Sequence, residues 1–385
     1  MVKRNKKKII RAVTVAQSLG FCREVMIRMR EEGYDMVAVS SPGRELDSLR
    51  EDDGFKCIEV PMERHISFFR DFVSLIRMIR VMVTEKPYLV HSMTPKAGMI
   101  CMIAAWLSRV PIRVHTFTGL VWPTATGLKR RILMATDWLT CACATHIIPE
   151  GQGVKNDLQS HITKKPMKVL GYGNVRGVDM NIFDPTRFSK VYQQECEKKQ
   201  TGKEFTYLFV GRIVKDKGIN ELVEAFTKLT EKYTGLKLIL VGCYEEKLDP
   251  VDEVTHQRII NNTSIVNTGE MYGDDLLKLY VDADCFVMPS YREGFPNVVL
   301  EAGAMGLPQI VTDINGSREI IIEGENGVIV PPRNTEALYL AMERMLKDKD
   351  ARKRMAERAR SMIESRFEKG FVQGCQIEFY KEIMN

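Results

Sequence analysis

The chain has 385 residues, the length of about two domains. It is 44% hydrophobic and 28% charged, a globular balance that excludes a disordered or fibrous chain. A net charge of +6 is too small to argue for nucleic acid by itself and is compatible with an anionic ligand or membrane face.

In chain order, residues 1–8 form a basic head without a long apolar leader or small-residue cleavage site behind it. A first strand, 9–15, rather than a signal peptide is therefore expected. A turn at 16–20 leads to a helix at 21–32, closed by Gly33. Strands follow at 35–40 and 56–60. Ser67 caps an amphipathic helix, 68–84, with Phe69, Phe72, Ile76, Ile79 and Val83 on one face. A strand at 88–91, a polar loop at 91–96 and a helix at 97–107 come next. After them are a strand at 112–116, a loop at 117–127, a basic amphipathic helix at 128–140, and strands at 146–148 and 167–170. The apolar run 97–107 is the longest and is too short to span a membrane. Nine scattered cysteines with mostly apolar neighbours read as buried thiols of a reduced, cytoplasmic chain. Cys141 and Cys143 have no second Cys/His cluster to complete a metal site, and none is expected.

Residues 186–204 are polar and without β pattern, a linker. A second alternation follows, with strands at 205–211, 236–242, 265–267, 284–288, 309–312 and 327–330. Helices are expected at 219–232, 256–260, 274–282, 298–305, 335–347, 351–366 and 371–384. The expectation is an α/β chain of two doubly wound, Rossmann-like domains. The first domain is 1–185, the linker 186–204 and the second domain 205–366, and 367–385 is a C-terminal helix packing back on the first. Such sheets bind ligands at the carboxyl ends of their strands, and two facing domains make a cleft.

The stretch 284–308 reads as strand, loop and helix, with Asn297 as N-cap and Gly306-Leu307-Pro308 as stop. Glu293 in the loop and Glu301 on the helix bracket a helix N-terminus. N–H groups suit phosphate and carboxylates suit sugar hydroxyls. In the stretch 209–218, Arg212 and Lys217 leave the end of a strand and flank another helix start. A forked cation, a point cation and a helix dipole together fit a diphosphate.

The pair Gly211-Arg212-Ile213-Val214-Lys215-Asp216-Lys217-Gly218 and Glu293-Gly294-Phe295-Pro296-Asn297, continuing to Glu301 and Pro308, resembles the second half of the retaining glycosyltransferases of family 4, which have the GT-B fold. The likeness continues through Gly269-Glu270-Met271 and Val311 to Ile320. More loosely, it takes in His91-Ser92-Met93-Thr94-Pro95-Lys96, His115-Thr116-Phe117-Thr118-Gly119 and Gly173 to Asp179 of the first domain. These first-domain loops look like the acceptor side of bacterial polysaccharide enzymes.

The resemblance implies that Arg212 and Lys217 hold the donor diphosphate and stabilise the leaving nucleotide. It implies that Glu293 contacts the donor sugar, and that Gly211, Gly294, Phe295, Pro296 and Asn297 offer backbone to sugar and phosphate. Glu301 would accept the ribose hydroxyls, and Gly269 and Met271 would lie by the base. No metal or other cofactor is expected; the donor is a UDP-sugar. His91, Lys96 and Thr118 are expected on the acceptor, a growing glycan that is lipid-linked, and His115 as a functional histidine. Thr118 stands where many members of the family carry His, and Thr cannot take a proton at neutral pH. The basic tail (Lys3, Arg4, Lys6, Lys7, Lys8) and Lys129, Arg130 and Arg131 suit peripheral contact with an anionic membrane. A UDP-sugar 2-epimerase and a catalytically silent nucleotide-sugar-binding protein stand as alternatives.

Overall fold

The structure, a computed structural model, describes residues 6–63, 67–188, 204–245 and 249–384. Most of the linker 186–204, and Lys3 and Arg4 of the basic tail, lie outside the described residues. The chain divides into two compact units. The first is Met1–Arg176 with Gly370–Asn385, and the second is Gly177–Lys369.

The first unit is built on a six-stranded parallel sheet: β1 (Lys8–Ala12), β2 (Asp35–Ser40), β3 (Lys56–Glu59), β4 (Leu89–Met93), β5 (Ile112–Phe117) and β6 (His146–Pro149). Their order is β3-β2-β1-β4-β5-β6. Central strands of such a sheet are covered on both faces, which is why β2 and β4 are buried almost end to end. Helices α1 (Arg23–Glu31) and α2 (Arg44–Glu51) cover one face together with the C-terminal helix Lys369–Met384, which adds Ile377, Phe379, Tyr380 and Met384 to the core around Ile9 and Met36. On the other face lie α3 (Phe68–Glu85), α4 (Pro95–Leu107), α5 (Gly127–Cys143) and α6 (Gln152–His161), around Ile10, Val37 and Val90. Helix α4 packs between α3 and α5, which explains its apolar character all round.

Three sequence expectations change here. The run 167–170 is not a strand; Lys168 N–H makes a bond to Ile147 O at the sheet's edge, but no ladder forms. Helices α2 and α6 arise where none was expected. Helix α3 turns the face carrying Phe69, Phe72, Ile76 and Val83 outward, with Phe69 79%, Phe72 61% and Val83 58% exposed, while Met78 and Met82 point into the core.

The second unit repeats the plan with β7 (Phe205–Val210), β8 (Leu236–Val241), β9 (Ile265–Gly269), β10 (Cys285–Met288), β11 (Gln309–Thr312) and β12 (Gly327–Val330), ordered β12-β11-β10-β7-β8-β9. Its helices are α7 (Ile219–Lys232), α8 (Glu253–Asn261), α9 (Gly273–Asp282), α10 (Asn297–Ala304), α11 (Ser317–Ile320), α12 (Thr335–Lys347) and α13 (Lys349–Phe367). Side chains of β7 alternate between the two cores. Tyr207 and Phe209 meet α7 and α12, while Leu208 and Val210 meet α9, α10 and α13. In both units the first and fourth strands are neighbours, so the strand order reverses between β1 and β4 and again between β7 and β10. Loops leaving the carboxyl ends of such a pair diverge to opposite faces and leave a crevice. Among the described residues no helix is long and apolar enough to cross a membrane.

Candidate active site

In the second unit the crevice is made by two loops. One runs from Gly211 through the short turn Lys215–Lys217 to Gly218, which starts α7. The other, 289–296, joins β10 to α10. The loops are held together closely. Tyr291 N–H donates to Asp216 O at 2.8 Å. Gly218 has φ 71°, and a Cβ there would lie 2.1 Å from Pro289 O. On the far side, Gly316 has φ 76°, and its Cβ would lie 2.3 Å from Gly294 O. Only glycine supplies both the left-handed backbone and the room, so residues 289–296 are clamped from two directions.

Two ion pairs cross between these loops. Lys217 pairs with Glu293, their side chains 17% and 15% exposed. One residue earlier in each loop, Arg292 Nε lies 3.0 Å from Asp216 Oδ2. The hydroxyls of Ser290 and Ser317, both fully buried beside the loop, have no hydrogen-bond partner among the described residues. The crevice therefore holds a cation and a carboxylate on a rigid frame, with two unpartnered hydroxyls buried in that frame.

The other expected residues are placed less uniformly. Arg212 reaches away to Glu245 and remains exposed. Asn297 is the first residue of α10, and the N-cap position belongs to Pro296, a correction to the expected capping. Phe295 is an anchor in the core, packed on Phe367 with ring centroids 5.3 Å apart. Glu301 is buried on α10, with Tyr280 Oη 3.5 Å from its Oε2. Gly269 ends β9, where its carbonyl accepts from Gly242 N–H at 2.8 Å, and Met271 packs half-buried nearby. Sequence reading missed Asp216, Arg292 and Glu245. The signal for the first two was present as adjacent opposite charges, Asp-Lys in one loop and Arg-Glu in the other.

In the first unit the equivalent loops are tied by hydroxyls. Thr94, with φ 76°, caps α4, and its Oγ1 lies 2.6 Å from Thr14 Oγ1, which in turn accepts from Ala97 N–H at 3.1 Å. Beneath them the strands carry polar side chains into the interior. Arg11, 1% exposed, donates to Tyr380 Oη at 2.6 Å and Cys22 Sγ at 2.8 Å, and contacts His91 Nδ1. His91 Nε2 is 2.7 Å from Thr116 Oγ1. His115 Nδ1 is 2.8 Å from Ser92 Oγ, and the ring lies directly on Gly98, where an added Cβ would be 2.4 Å from Cε1. Burial lowers both histidines. His91 falls well below its usual value, with the Arg11 charge adding to the effect, and His115 falls to about 3.

His91 thus lies in the core, against Arg11, Tyr380 and Thr116, and His115 is walled in by Ser92 and Gly98. Lys96 holds both oxygens of Asp71, at 2.6 and 2.5 Å. Thr118 sits half-buried in the loop after β5. Among the described residues, no three His, Cys, Asp or Glu side chains group as metal ligands.

Comparison with known proteins agrees with the fold. Residues 193–362 match the family described as glycosyl transferases group 1, and residues 21–173 match the glycosyl transferase 4-like domain. The capsular polysaccharide biosynthesis glycosyltransferase CapM of Staphylococcus aureus is 33% identical over 365 residues, covering 94% of this chain and 93% of that one. The Escherichia coli UDP-Gal:alpha-D-GlcNAc-diphosphoundecaprenol alpha-1,3-galactosyltransferase is 27% identical over 306 residues, 77% of this chain and 76% of that one. The crystal structure of Anabaena HepE in complex with UDP covers 97% of this chain and all of its own, with a TM-score of 0.78 and 17% identity, a likeness of fold. With matching models on both halves and a relative similar over nearly its whole length, the chain belongs to the group 1, family 4 glycosyltransferases of GT-B fold.

Proposed function

We propose that this glycosyltransferase moves a hexose or N-acetylhexosamine from a UDP-sugar, with retention, to a glycan carried on a polyprenyl diphosphate in surface-polysaccharide synthesis. The observation that carries the reading is the Lys217–Glu293 pair clamped at the β7/β10 crevice. A diphosphate exchanges for Glu293 at the Lys217 ammonium, and the freed carboxylate accepts sugar hydroxyls. Arg212 swings from Glu245 to the same phosphates, and the Ser290 and Ser317 hydroxyls offer further donors. Glu301 takes the ribose.

In the proposed step the bond from C1 to the β-phosphate oxygen breaks, and the acceptor oxygen bonds C1 on the same face. The acceptor's proton passes to the departing phosphate. Lys217, and Arg212 once it has swung over, stabilise the growing charge on that phosphate, so the step needs no metal. The burial of His91 and His115 supports a route without a histidine base. Thr118 and Lys96 remain as acceptor-side groups.

The donor and acceptor in the name of the Escherichia coli relative, and the capsular role in the name of the staphylococcal one, support the substrate classes. HepE, solved with UDP and with UDP-glucose, supports the donor nucleotide. A lipid-linked acceptor places the protein at the inner membrane face as a peripheral protein.

The test is incubation of the purified chain with UDP-sugars and polyprenyl-diphosphate-linked saccharides, with and without a chelator, and the anomer of the product read by NMR. Transfer with retention that survives the chelator is expected. An inverted product, abolition by the chelator, or epimerised donor without transfer would sink the reading.

A further inference from the structure

A helix in a folded domain ordinarily has one apolar stripe, turned to the core. Helix α3 has a far wider apolar arc. At 100° per residue, Met78, Met82 and Leu75 form its inward part, Ile79 its middle, and Phe69, Phe72, Ile76 and Val83 its outer part, about 120° round the helix from the inward one. The outer part lies in solvent, with Phe69 79% exposed. Beside it, on the same outward face, run Arg70, Arg77 and Arg80. The acids of the helix are turned away, Asp71 to Lys96 and Glu85 to Lys8 and Lys56. Arg77 and Arg80 have no ion pair among the described residues. The outward face is thus apolar on one half and cationic on the other.

Two neighbouring features extend it. At the C-terminal end of α3, Val83 opens onto a hollow that Lys6, Lys86 and Arg109 also line, together with Asp35 and Glu85, the two carboxylates that Lys8 pairs with. Lys86 and Arg109 stand on left-handed backbone, φ 49° and 55°, and make no ion pair among the described residues. Along α5, the other flank of α4, Leu128 and Trp138 are 73% and 57% exposed, and Arg131 is exposed on the same side of the helix. Apolar side chains interleaved with cations, Arg70 paired with Glu63 and Arg77 and Arg80 without an ion pair among the described residues, match an anionic lipid surface, where aliphatic and aromatic groups enter the headgroup boundary and cations meet phosphates. A second copy of the chain fits less well. An isologous contact on this face would set Arg77 and Arg80 against the same arginines.

We propose that the outward face of α3, with the hollow at its end, docks the protein on an anionic bilayer. The inference deepens the reading of a lipid-linked acceptor but is separable from it. A chain that docks and transfers to no lipid keeps the surface and loses the acceptor.

The experiment is co-sedimentation of the full chain with vesicles of phosphatidylcholine and phosphatidylglycerol, against phosphatidylcholine alone. It compares wild type with the double variants F69Q/F72Q and R77Q/R80Q, and adds melting curves and light scattering. Wild type is expected on the anionic vesicles only. Each double variant should lose on the order of tenfold in vesicle affinity with its melting temperature kept. Equal sedimentation of all three proteins, no sedimentation of wild type, or a wild-type dimer that F69Q/F72Q dissolves would overturn the proposal.

Discussion

If Lys217 holds the donor diphosphate and Glu293 the sugar, neutral substitutions at the two positions act in opposite directions on UDP, which has the diphosphate but no transferred sugar. Their side chains are 17% and 15% exposed. The pair therefore lies between an exposed ion pair, ~0.2–1 kcal/mol, and a buried one, whose breaking costs ~3–5 kcal/mol. With about 1–2 kcal/mol for the attraction that UDP must displace, Glu293→Gln tightens UDP binding about 5- to 30-fold. Lys217→Gln removes a charged hydrogen bond of ~1.5–3 kcal/mol and weakens UDP by about 10- to 150-fold. Turnover falls in both. For Glu293→Gln the loss is on the order of a hundredfold or more, because its contact with the sugar matters most as charge develops there. Isothermal titration with UDP, beside turnover of the UDP-sugar, reads all of this. Equal weakening of UDP by both substitutions, or normal turnover in either, would refute the assignment.

Three further outcomes follow from the geometry. Burial pushes the Asp137 carboxyl from 3.8 up to about 7. The native state therefore keeps that proton longer than the unfolded chain, and the contribution is present at low pH and lost as pH rises through about 7. Relative to Asp137→Asn, wild type should lose about 2.5 kcal/mol between about pH 5 and pH 8, and parallel unfolding curves for the two would contradict this. Gly218→Ala forces a Cβ to within 2.1 Å of Pro289 O on left-handed backbone. It should cost ~1–3 kcal/mol in stability and raise the KM for donor; an unchanged melt and KM would show that the clamp yields. Tyr380→Phe deprives the buried Arg11 of an acceptor. A loss of ~1–3 kcal/mol is expected as a lower urea midpoint at constant slope, and an unchanged midpoint would mean that another group takes the N–H.

The alternation of strands and helices was legible because parallel strands covered on both faces read as short apolar runs between turn residues, and the order of elements followed from that. Element boundaries held less well where a turn replaced a cap, as at Pro296 and Asn297. Helix α2 was missed because Arg44–Glu51 buries only Leu46 and Leu49, too sparse a pattern to stand out among charges. Helix α3 misled for the opposite reason. Sequence periodicity finds an apolar arc but cannot say which part of it faces the sheet. In the crevice of the second unit, Lys217 and Glu293 were singled out from their neighbours, and Asp216 and Arg292 stand next to them, but neither cross-loop pairing was legible, because the partners of both lie far apart in the chain and meet only through the β7/β10 pairing. The burial of the two histidines was not legible because a polar residue near a strand's end looks the same whether its ring faces solvent or a neighbouring strand. Arg11 and His91 face each other in register across β1 and β4.

The two units repeat one topology and diverge in what ties their loops. In the first, Thr14 and Thr94 join through hydroxyls, and the nearby charges already have protein partners, Lys96 with Asp71 and Arg11 with the C-terminal helix. Such a crevice offers little free charge. In the second, the ties are themselves ion pairs, Lys217 with Glu293 and Asp216 with Arg292. An ion pair at a surface crevice can be exchanged, because an arriving phosphate replaces the carboxylate at the cation, and the released carboxylate finds hydroxyls on the same ligand. The Asp216–Arg292 pair makes that exchange tolerable: it holds the loops together while the other pair opens. On the proposed reading, charge stabilisation falls to the second unit and neutral hydrogen bonding to the first. A transfer whose proton leaves with the phosphate, and not through a histidine, is the chemistry such a division suits.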